Sequence, residues 1–331
     1  MGALMGPELF GGTDADLAEL ELGEELGSGG QGKVIEVSGG RHKGLVYKRY
    51  TLPGPNADAL LRLVRAPESF SPNERERLFS LSSWPLARVM SSGRLTGFLM
   101  RRIPSAFLGR LKGGDLQLQE AQYLMYPPKP LWGDIRPPTV EGRLELAKQY
   151  VSLFQLLHAH SLVAGDVSMA NLLWSTAGTS RVFILDCDGI RCAGQPPVLP
   201  QAQTPDWEDP LLPATGSDLE TDRYKLALLV GRVLARNPTI RPGDPLTPLP
   251  ELPPKVVEAV TQRFDQAGAG YGKRPDAWQW GIALGGRRQV PVSVPQPVSG
   301  PVPPLSPLQK PMGQRRWTPV PVQPPGQRRP N

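Results

Sequence analysis

The sequence of 331 residues predicts an α+β fold with two lobes, a small β-rich lobe followed by a larger helical one. Three observations predict this organisation. The first hundred residues hold several short runs typical of strands, with one helical insert. After Arg102 the apolar positions recur with the period of an α-helix. The last segment, residues 285–331, is rich in proline and builds neither helix nor sheet.

The β-rich lobe is predicted over residues 20–103, after a leader of residues 1–19. Its strands are predicted at 22–26, 33–37, 44–50, 87–90 and 97–102, and Ser-Ser-Gly joins the last two. The helical insert is predicted from two segments. Residues 57–65 have helical periodicity, and Pro72 suits the first turn of a helix that continues over 73–81.

The helical lobe is predicted over residues 104–284. Its longest helix is predicted at 141–160, where five apolar residues share one face, namely Leu144, Ala147, Val151, Phe154 and Leu157. Further helices are predicted at 222–234, 254–264 and 275–284. We expect a cleft between this lobe and the β-rich one.

Residues 285–331 are predicted to form a disordered, basic, proline-rich tail. Thirteen of the 42 residues from 290 to 331 are proline, and the segment carries too little apolar surface to fold alone. A disordered spacer is the simplest interpretation. The alternative is a ligand for a proline-binding module, which would make the tail a partner site.

The same tail explains the net charge of +6. It contains seven basic residues and no acidic ones, whereas the preceding residues include thirty basic and thirty-one acidic side chains. The body of the protein is therefore nearly neutral. Its charge does not indicate a specific nucleic-acid partner.

Two cysteines, Cys187 and Cys192, make no disulfide framework, which favours a reducing compartment. No run approaches eighteen apolar residues, and the first ten residues lack a basic region followed by an apolar one. We therefore expect a cytoplasmic protein without a membrane span.

The glycine-rich segment Gly27-Ser-Gly-Gly-Gln-Gly32 suits a phosphate-binding loop. Glycines let backbone N–H groups approach a polyphosphate closely. A dinucleotide-binding turn would need a long helix after it, but the residues that follow Gly32 are strand-like. The loop is therefore predicted to be a hairpin that covers phosphates. Its candidate nucleotide-binding residues are Gly27, Ser28, Gly29, Gly30, Gly32 and Val34.

Lys48 lies fourteen residues after Val34 on the next predicted strand. Alone it would be an ordinary surface lysine, but beside a glycine loop its charge is placed to pair with the phosphates of a nucleotide. A glutamate of the following helix is the expected partner of such a lysine. Glu74 and Glu76 both fit, with Glu68 a weaker candidate, and spacing does not choose among them.

Three polar residues follow in the helical lobe. Asp166 and Asn171 come just after the long helix, where the aspartate can accept a proton from an attacking hydroxyl and the asparagine can reach Mg²⁺. The alternative is an Asx-turn pair that caps a loop. Asp186 follows the apolar strand 182–185 and suits a metal ligand. Asp188 is either a second ligand or a turn residue.

In this order, the segments resemble those of the eukaryotic-type protein kinases, over roughly residues 20–284. Asp186-Cys-Asp188 resembles the Asp-Phe-Gly triplet, in a form most similar to a divergent bacterial branch of kinase-like proteins. The glycine loop of the family is resembled by Gly27–Val34, the strand lysine by Lys48, the catalytic base by Asp166 and the magnesium asparagine by Asn171. The end of the activation segment is resembled by 204–210, the helix that anchors the catalytic loop by Asp222 with 224–227, and the late Arg-Pro motif by 274–278.

The resemblance has departures in the catalytic segments. Ala164-Gly165 stand where the family has His-Arg, so control through an activation-loop phosphate is not expected. Ser168 replaces a lysine that would stabilise the transferring phosphoryl group, and Asp188 replaces the glycine of Asp-Phe-Gly. These changes concern turnover and substrate docking more than nucleotide binding.

A further departure concerns an ion pair. The glutamate expected after Pro210 is Leu211. Arg274 therefore loses its usual partner unless Glu208 or Asp209 replaces it.

The resemblance implies a bilobal, cytoplasmic Ser/Thr protein kinase that uses ATP with Mg²⁺ or Mn²⁺. Asp166, Lys48, Asn171 and Asp186 would be catalytic, and Asn171 and Asp186 would hold the metal. Two alternatives stay open. One is an ATP-binding pseudokinase that acts as a scaffold through its tail, and the other is a small-molecule kinase, for which Gly165-Asp166 is typical.

Overall fold

The computed structural model describes residues 13–201 and 203–286, which belong to one compact unit. A six-stranded sheet forms from the residues up to 101, and helices dominate the remainder. This confirms the α+β class with a β-rich N-terminal part and a helical C-terminal part. The predicted tail, apart from Gly285 and Gly286, lies outside the described residues, as do residues 1–12 of the predicted leader.

The large sheet has the order β1-β5-β6-β4-β3-β2. Its strands are Asp14–Asp16 (β1), Leu22–Ser28 (β2), Gly32–Val37 (β3), Leu45–Tyr50 (β4), Ala87–Ser91 (β5) and Arg94–Arg101 (β6). β1 runs parallel to β5, and all other neighbours are antiparallel. The five strands predicted from the sequence are all present.

Strand β1 lies within the segment 1–19 that was predicted as a leader. It pairs with β5 through Asp14 opposite Arg88, and the two side chains form an ion pair with nitrogen–oxygen distances of 2.6 and 2.7 Å. Residues 14–16 therefore belong to the sheet. Three residues carry no readable alternation, which is why the sequence did not reveal this strand.

The α-helices are Ala57–Arg65 (α1), Pro72–Leu81 (α2), Gln122–Met125 (α3), Val140–Ala159 (α4), Leu219–Ala235 (α5), Pro254–Ala267 (α6) and Ala277–Leu284 (α7). Single turns of 3-10 helix cover Leu17–Glu19, Gly40–His42, Ala66–Ser69, Ser105–Phe107, Pro130–Trp132 and Cys187–Gly189. The predicted helices all occur, with ends that differ by up to three residues.

Capping residues set where the helices begin. Asn56 accepts a hydrogen bond from the backbone N–H of Ala59 at the start of α1. In α2, Ser71 and Glu74 form a reciprocal capping box and Pro72 occupies the first helical position. Asp276 caps α7 in the same reciprocal manner. These local contacts fix the starts of the three helices.

The remaining strands are short and form three two-stranded antiparallel ladders. They are Leu108–Arg110 (β7), Leu116–Leu118 (β8), Leu162–Val163 (β9), Leu172–Ser175 (β10), Arg181–Ile184 (β11) and Arg191–Cys192 (β12). β7 pairs with β8, β10 with β11, and β12 with β9. The hairpin β7–β8 corrects the expectation that helices follow Arg102 directly.

The core of the helical part is built around α4 and α5. The five residues predicted to share a face of α4 are all buried. Helix α5 is buried nearly all round, as expected for a helix at the centre of a domain. Each large apolar side chain buried in this way contributes about 1.5–3 kcal/mol to stability. These two buried helices therefore support the loops between α4 and β11.

None of the helices in the described part of the chain combines the length and apolar character needed to cross a lipid bilayer.

Candidate functional site

A cavity of about 760 Å³ lies between the large sheet and the loops that follow α4 and β11. Every residue predicted for the site lines it, namely Gly27, Ser28, Gly29, Gly30, Gly32, Val34, Lys48, Asp166, Asn171 and Asp186. Its apolar wall includes Val46, Met100, Ile103, Leu118 and Ile184. A cavity of this size, with an apolar wall and charged side chains in its lining, suits a small organic ligand with a charged part.

The glycine loop joins β2 to β3. Gly27 lies opposite Val34 in the ladder, and Gly29 and Gly32 exchange backbone hydrogen bonds across the turn. At position 32 packing alone requires glycine, because a Cβ there would lie 2.5 Å from the carbonyl oxygen of Arg49. A Cβ at Gly27, Gly29 or Gly30 would meet no protein atom within 4 Å. The fold does not require glycine there, whereas the close approach of phosphates would.

Lys48 projects from β4, and its side chain is only 5% exposed. Its Nζ lies 2.7 Å from Asp188 Oδ1 and 3.2 Å from Asp186 Oδ1. Burial lowers the pKa of Lys48, but Asp188 and Asp186 outweigh this and hold the pKa above its usual value. The amine is therefore a permanent positive charge at the wall of the cavity.

The predicted pairing of Lys48 with a helix glutamate is wrong for Glu74. This side chain accepts hydrogen bonds from the backbone and hydroxyl of Ser71, and it lies 3.3 Å from His160. Glu76 is exposed on α2, and Glu68 lies 4.0 Å from Arg65. Among the described residues, the carboxylates within ion-pair distance of Lys48 are those of Asp186 and Asp188.

Asp186 has the position and conformation of an accessible ligand. It follows β11, its side chain is 55% exposed, and its backbone is left-handed, with φ 50° and ψ 43°. Aspartate tolerates this region better than most residues. The loop is held close to Asn171, whose carbonyl accepts a hydrogen bond from Leu185 N at 2.8 Å. An exposed carboxylate that borders the same cavity as Asn171 fits Mg²⁺, which is commonly bound by one or two carboxylates, waters and substrate phosphates.

Asp166 is held by two neighbours. The hydroxyl of Thr204 donates to Asp166 Oδ1 at 2.9 Å, and Asn171 Nδ2 donates to the Asp166 carbonyl at 3.0 Å. The Asn171 amide also lies 3.4 Å from Asp166 Oδ2. Asn171 therefore turns its nitrogen toward Asp166, which leaves its amide oxygen for a cation. The carboxylate of Asp166 is oriented and still partly open to the cavity.

The backbone before Asp166 is anchored by the buried carboxylate of Asp222 in α5. Asp222 Oδ2 accepts from Ala164 N at 2.7 Å, and Oδ1 accepts from Gly165 N at 2.9 Å. His158 Nε2 lies 3.2 Å from the same carboxylate. The predicted anchoring role of Asp222 thus has a direct geometric basis.

Lys225, one turn further along α5, was not singled out by the sequence. Its side chain is buried, and its Nζ donates to the Gly165 carbonyl at 2.7 Å and to Gln203 Oε1 at 3.1 Å. Burial lowers the pKa of Lys225, while the charge of Asp166 acts in the opposite direction. The amine of Lys225 therefore lies beneath the loop that carries Asp166 and holds its backbone. The sequence gives little signal for Lys225, because α5 contains several other charged residues, among them Glu220, Arg223 and Arg232.

A scan against models of known protein families finds no match. A search of the curated proteins likewise finds no similar sequence.

Proposed function

We propose that this protein is an ATP- and Mg²⁺-dependent phosphotransferase that acts as a Ser/Thr protein kinase. One observation carries the proposal. A glycine-rich loop, a buried lysine, an exposed aspartate and an oriented second aspartate, drawn from four separate segments, line the same cavity. Phosphoryl transfer depends mainly on positioning and charge stabilisation, and these are the groups it requires.

Each group has a distinct task in the proposed mechanism. The apolar wall with Val34 holds the nucleobase, and the N–H groups of residues 27–32 and the Lys48 amine bind the phosphates. Asp186 and Asn171 would hold Mg²⁺, which would supply positive charge to neutralise the phosphates. Asp166 accepts a hydrogen bond from the substrate hydroxyl and takes its proton as the oxygen attacks the terminal phosphorus. The bond from that phosphorus to the β,γ-bridging oxygen breaks, and ADP leaves with the bonding electron pair.

Radioactive transfer tests this proposal most directly. The protein is incubated with γ-³²P-ATP and Mg²⁺ or Mn²⁺, alone and with a generic basic protein substrate. Asp166→Ala should lower transfer by about 10²–10⁴-fold, the usual contribution of a positioned base. Asp265→Ala, which removes an exposed carboxylate of α6 far from the cavity, should transfer normally.

Two results would replace the proposal. Nucleotide-dependent thermal stabilisation without any transfer would indicate a pseudokinase. Transfer to hydroxylated small molecules, but not to proteins, would indicate a small-molecule kinase. A panel of both substrate types should therefore be assayed in parallel.

A further inference from the structure

The two aspartates around Cys187 differ sharply in their surroundings. The Asp186 side chain is 55% exposed, whereas that of Asp188 is 1% exposed. The more buried carboxylate is also the closer one to Lys48, at 2.7 Å against 3.2 Å. One loop of three residues therefore presents one accessible and one inaccessible carboxylate to the same lysine.

Accessibility decides which aspartate can bind a metal ion. Mg²⁺ dehydrates reluctantly and keeps several waters, so its protein ligands must face open space. Asp188 Oδ2 is buried, and it finds no hydrogen-bond partner in the part of the chain that the structure describes. The buried hydroxyl of Tyr50 is a neighbour, since its pKa is raised by burial and then by the charge of Asp188. Asp188 borders the cavity, but its second oxygen is closed off from solvent, so it cannot join the hydrated ion.

The helices that precede β5 supply no substitute for Asp188. Glu74 is engaged by the capping box of α2, Glu76 is exposed, and Glu68 lies beside Arg65. Without Asp188, Lys48 would keep only Asp186. That carboxylate would be drawn to the metal ion once the ion binds.

We propose that Asp188 is a positioning residue that holds the Lys48 amine against the phosphate end of the cavity, leaving Asp186 free for the metal ion. The inference rests on the proposed function, because it assigns Lys48 to a nucleotide. It also gives a physical reason for aspartate at position 188. The lysine partner and the metal ligand belong to one loop, so the site is assembled without a glutamate from a neighbouring helix.

The experiment compares Asp188→Asn, Lys48→Met and the double variant with the wild type. ATP affinity and the half-saturating Mg²⁺ concentration are measured by titration of transfer activity. Asp188→Asn keeps the side-chain shape but removes the charge. We expect ATP affinity to fall by about 10- to 100-fold, as for other residues that orient a ligand-binding group, with an unchanged Mg²⁺ requirement. A raised Mg²⁺ requirement with unchanged ATP affinity would overturn the inference and make Asp188 a metal ligand.

A second readout needs no nucleotide. The urea midpoint of unfolding is measured for the same four proteins and for Asp186→Asn. If Asp188 and Lys48 stabilise the fold as a pair, the double variant should lose no more stability than the less stable single variant. Asp186→Asn should lose less stability than Asp188→Asn, because the Asp186 side chain is exposed. Additive losses would overturn the pairing. Should the wild type neither bind ATP nor transfer phosphate, the proposed function fails, while this cycle still tests the pairing.

Discussion

Arg274 and Asp209 form a two-pronged ion pair in the interior of the helical part. Arg274 Nη1 lies 2.5 Å from Asp209 Oδ2, and Nη2 lies 2.8 Å from Oδ1. Their side chains are 1% and 0% exposed. The parallel geometry matches the fork of a guanidinium to the two oxygens of a carboxylate. The sequence left Glu208 and Asp209 as alternative partners of Arg274, and the structure pairs Arg274 with Asp209.

Asp209→Asn should destabilise the fold severely. The substitution leaves a guanidinium that is buried without a counter-charge, and breaking one side of such a pair costs about 3–5 kcal/mol. The free energy of unfolding from urea titrations measures this loss. Nucleotide binding at low temperature should persist, because the pair does not line the cavity.

Glu208→Gln is the matched control for this experiment. Glu208 is adjacent in sequence, but its side chain is 47% exposed and its ion pair with Arg241 is long, at 3.4 Å. Exposed pairs contribute at most about 1 kcal/mol. Equal losses in the two variants would contradict the structural role assigned to Asp209.

Cys187 and Cys192 should differ in reactivity. Burial raises the pKa of the Cys187 thiol to about 12, so at pH 8 almost no thiolate exists there. Burial also raises the pKa of Cys192, but Arg62 opposes this and the residue is half-buried. Iodoacetamide at pH 8, followed by peptide mapping in a mass spectrometer, should label Cys192 first and Cys187 only after denaturation. Preferential labelling of native Cys187 would contradict the packing of the 186–189 loop.

Asp186→Ala should abolish metal-dependent transfer. The exposed carboxylate is the group through which Mg²⁺ would be held, and loss of a catalytic metal removes several kcal/mol of charge stabilisation. We expect a fall of more than about 100-fold in the transfer rate, and addition of EDTA to the wild type should have the same effect. The Asp265→Ala protein serves again as control. An unchanged rate in Asp186→Ala would remove Asp186 from the metal site.

The sequence predicted those features that depend on local periodicity. The long helices, the hairpin around the glycine loop and the strand that precedes Asp186 all appear where the apolar pattern placed them. The hairpin β7–β8 and the strand β1 did not appear in the pattern, because three-residue strands complete too little of the alternation to be recognised. Their position is decided by tertiary contacts.

Within the site, the partner of Lys48 likewise could not be predicted from local sequence patterns. Lys48 and Asp188 are 140 positions apart, and nothing local to either residue indicates the contact. The glutamates of α2 looked equally suitable, but the choice depends on which carboxylates are already engaged and which are buried. For Arg274 the sequence limited the candidate partners to Glu208 and Asp209. Asp209 is the one that is buried beside Arg274, which the sequence does not reveal.

Asp222→Asn should separate catalysis from nucleotide binding. The carboxylate of Asp222 accepts from two backbone N–H groups just before Asp166, and an asparagine offers only one acceptor oxygen for them. One buried donor then lacks a partner, which costs about 1–3 kcal/mol and lets the loop around Asp166 shift. We expect a lower transfer rate with nearly unchanged ATP affinity. Both are measured by varying ATP in the transfer assay.

Asp218→Ala tests whether that effect is specific to the loop. Asp218 caps the same helix, accepting from Thr221 N at 3.0 Å, and loss of such a cap costs about 0.5–2 kcal/mol. The two variants should therefore have similar losses of stability, as judged by their urea midpoints. Only Asp222→Asn should slow transfer, because only its carboxylate reaches the backbone before Asp166. A comparable loss of activity in Asp218→Ala would indicate that general destabilisation, and not the position of Asp166, limits the reaction.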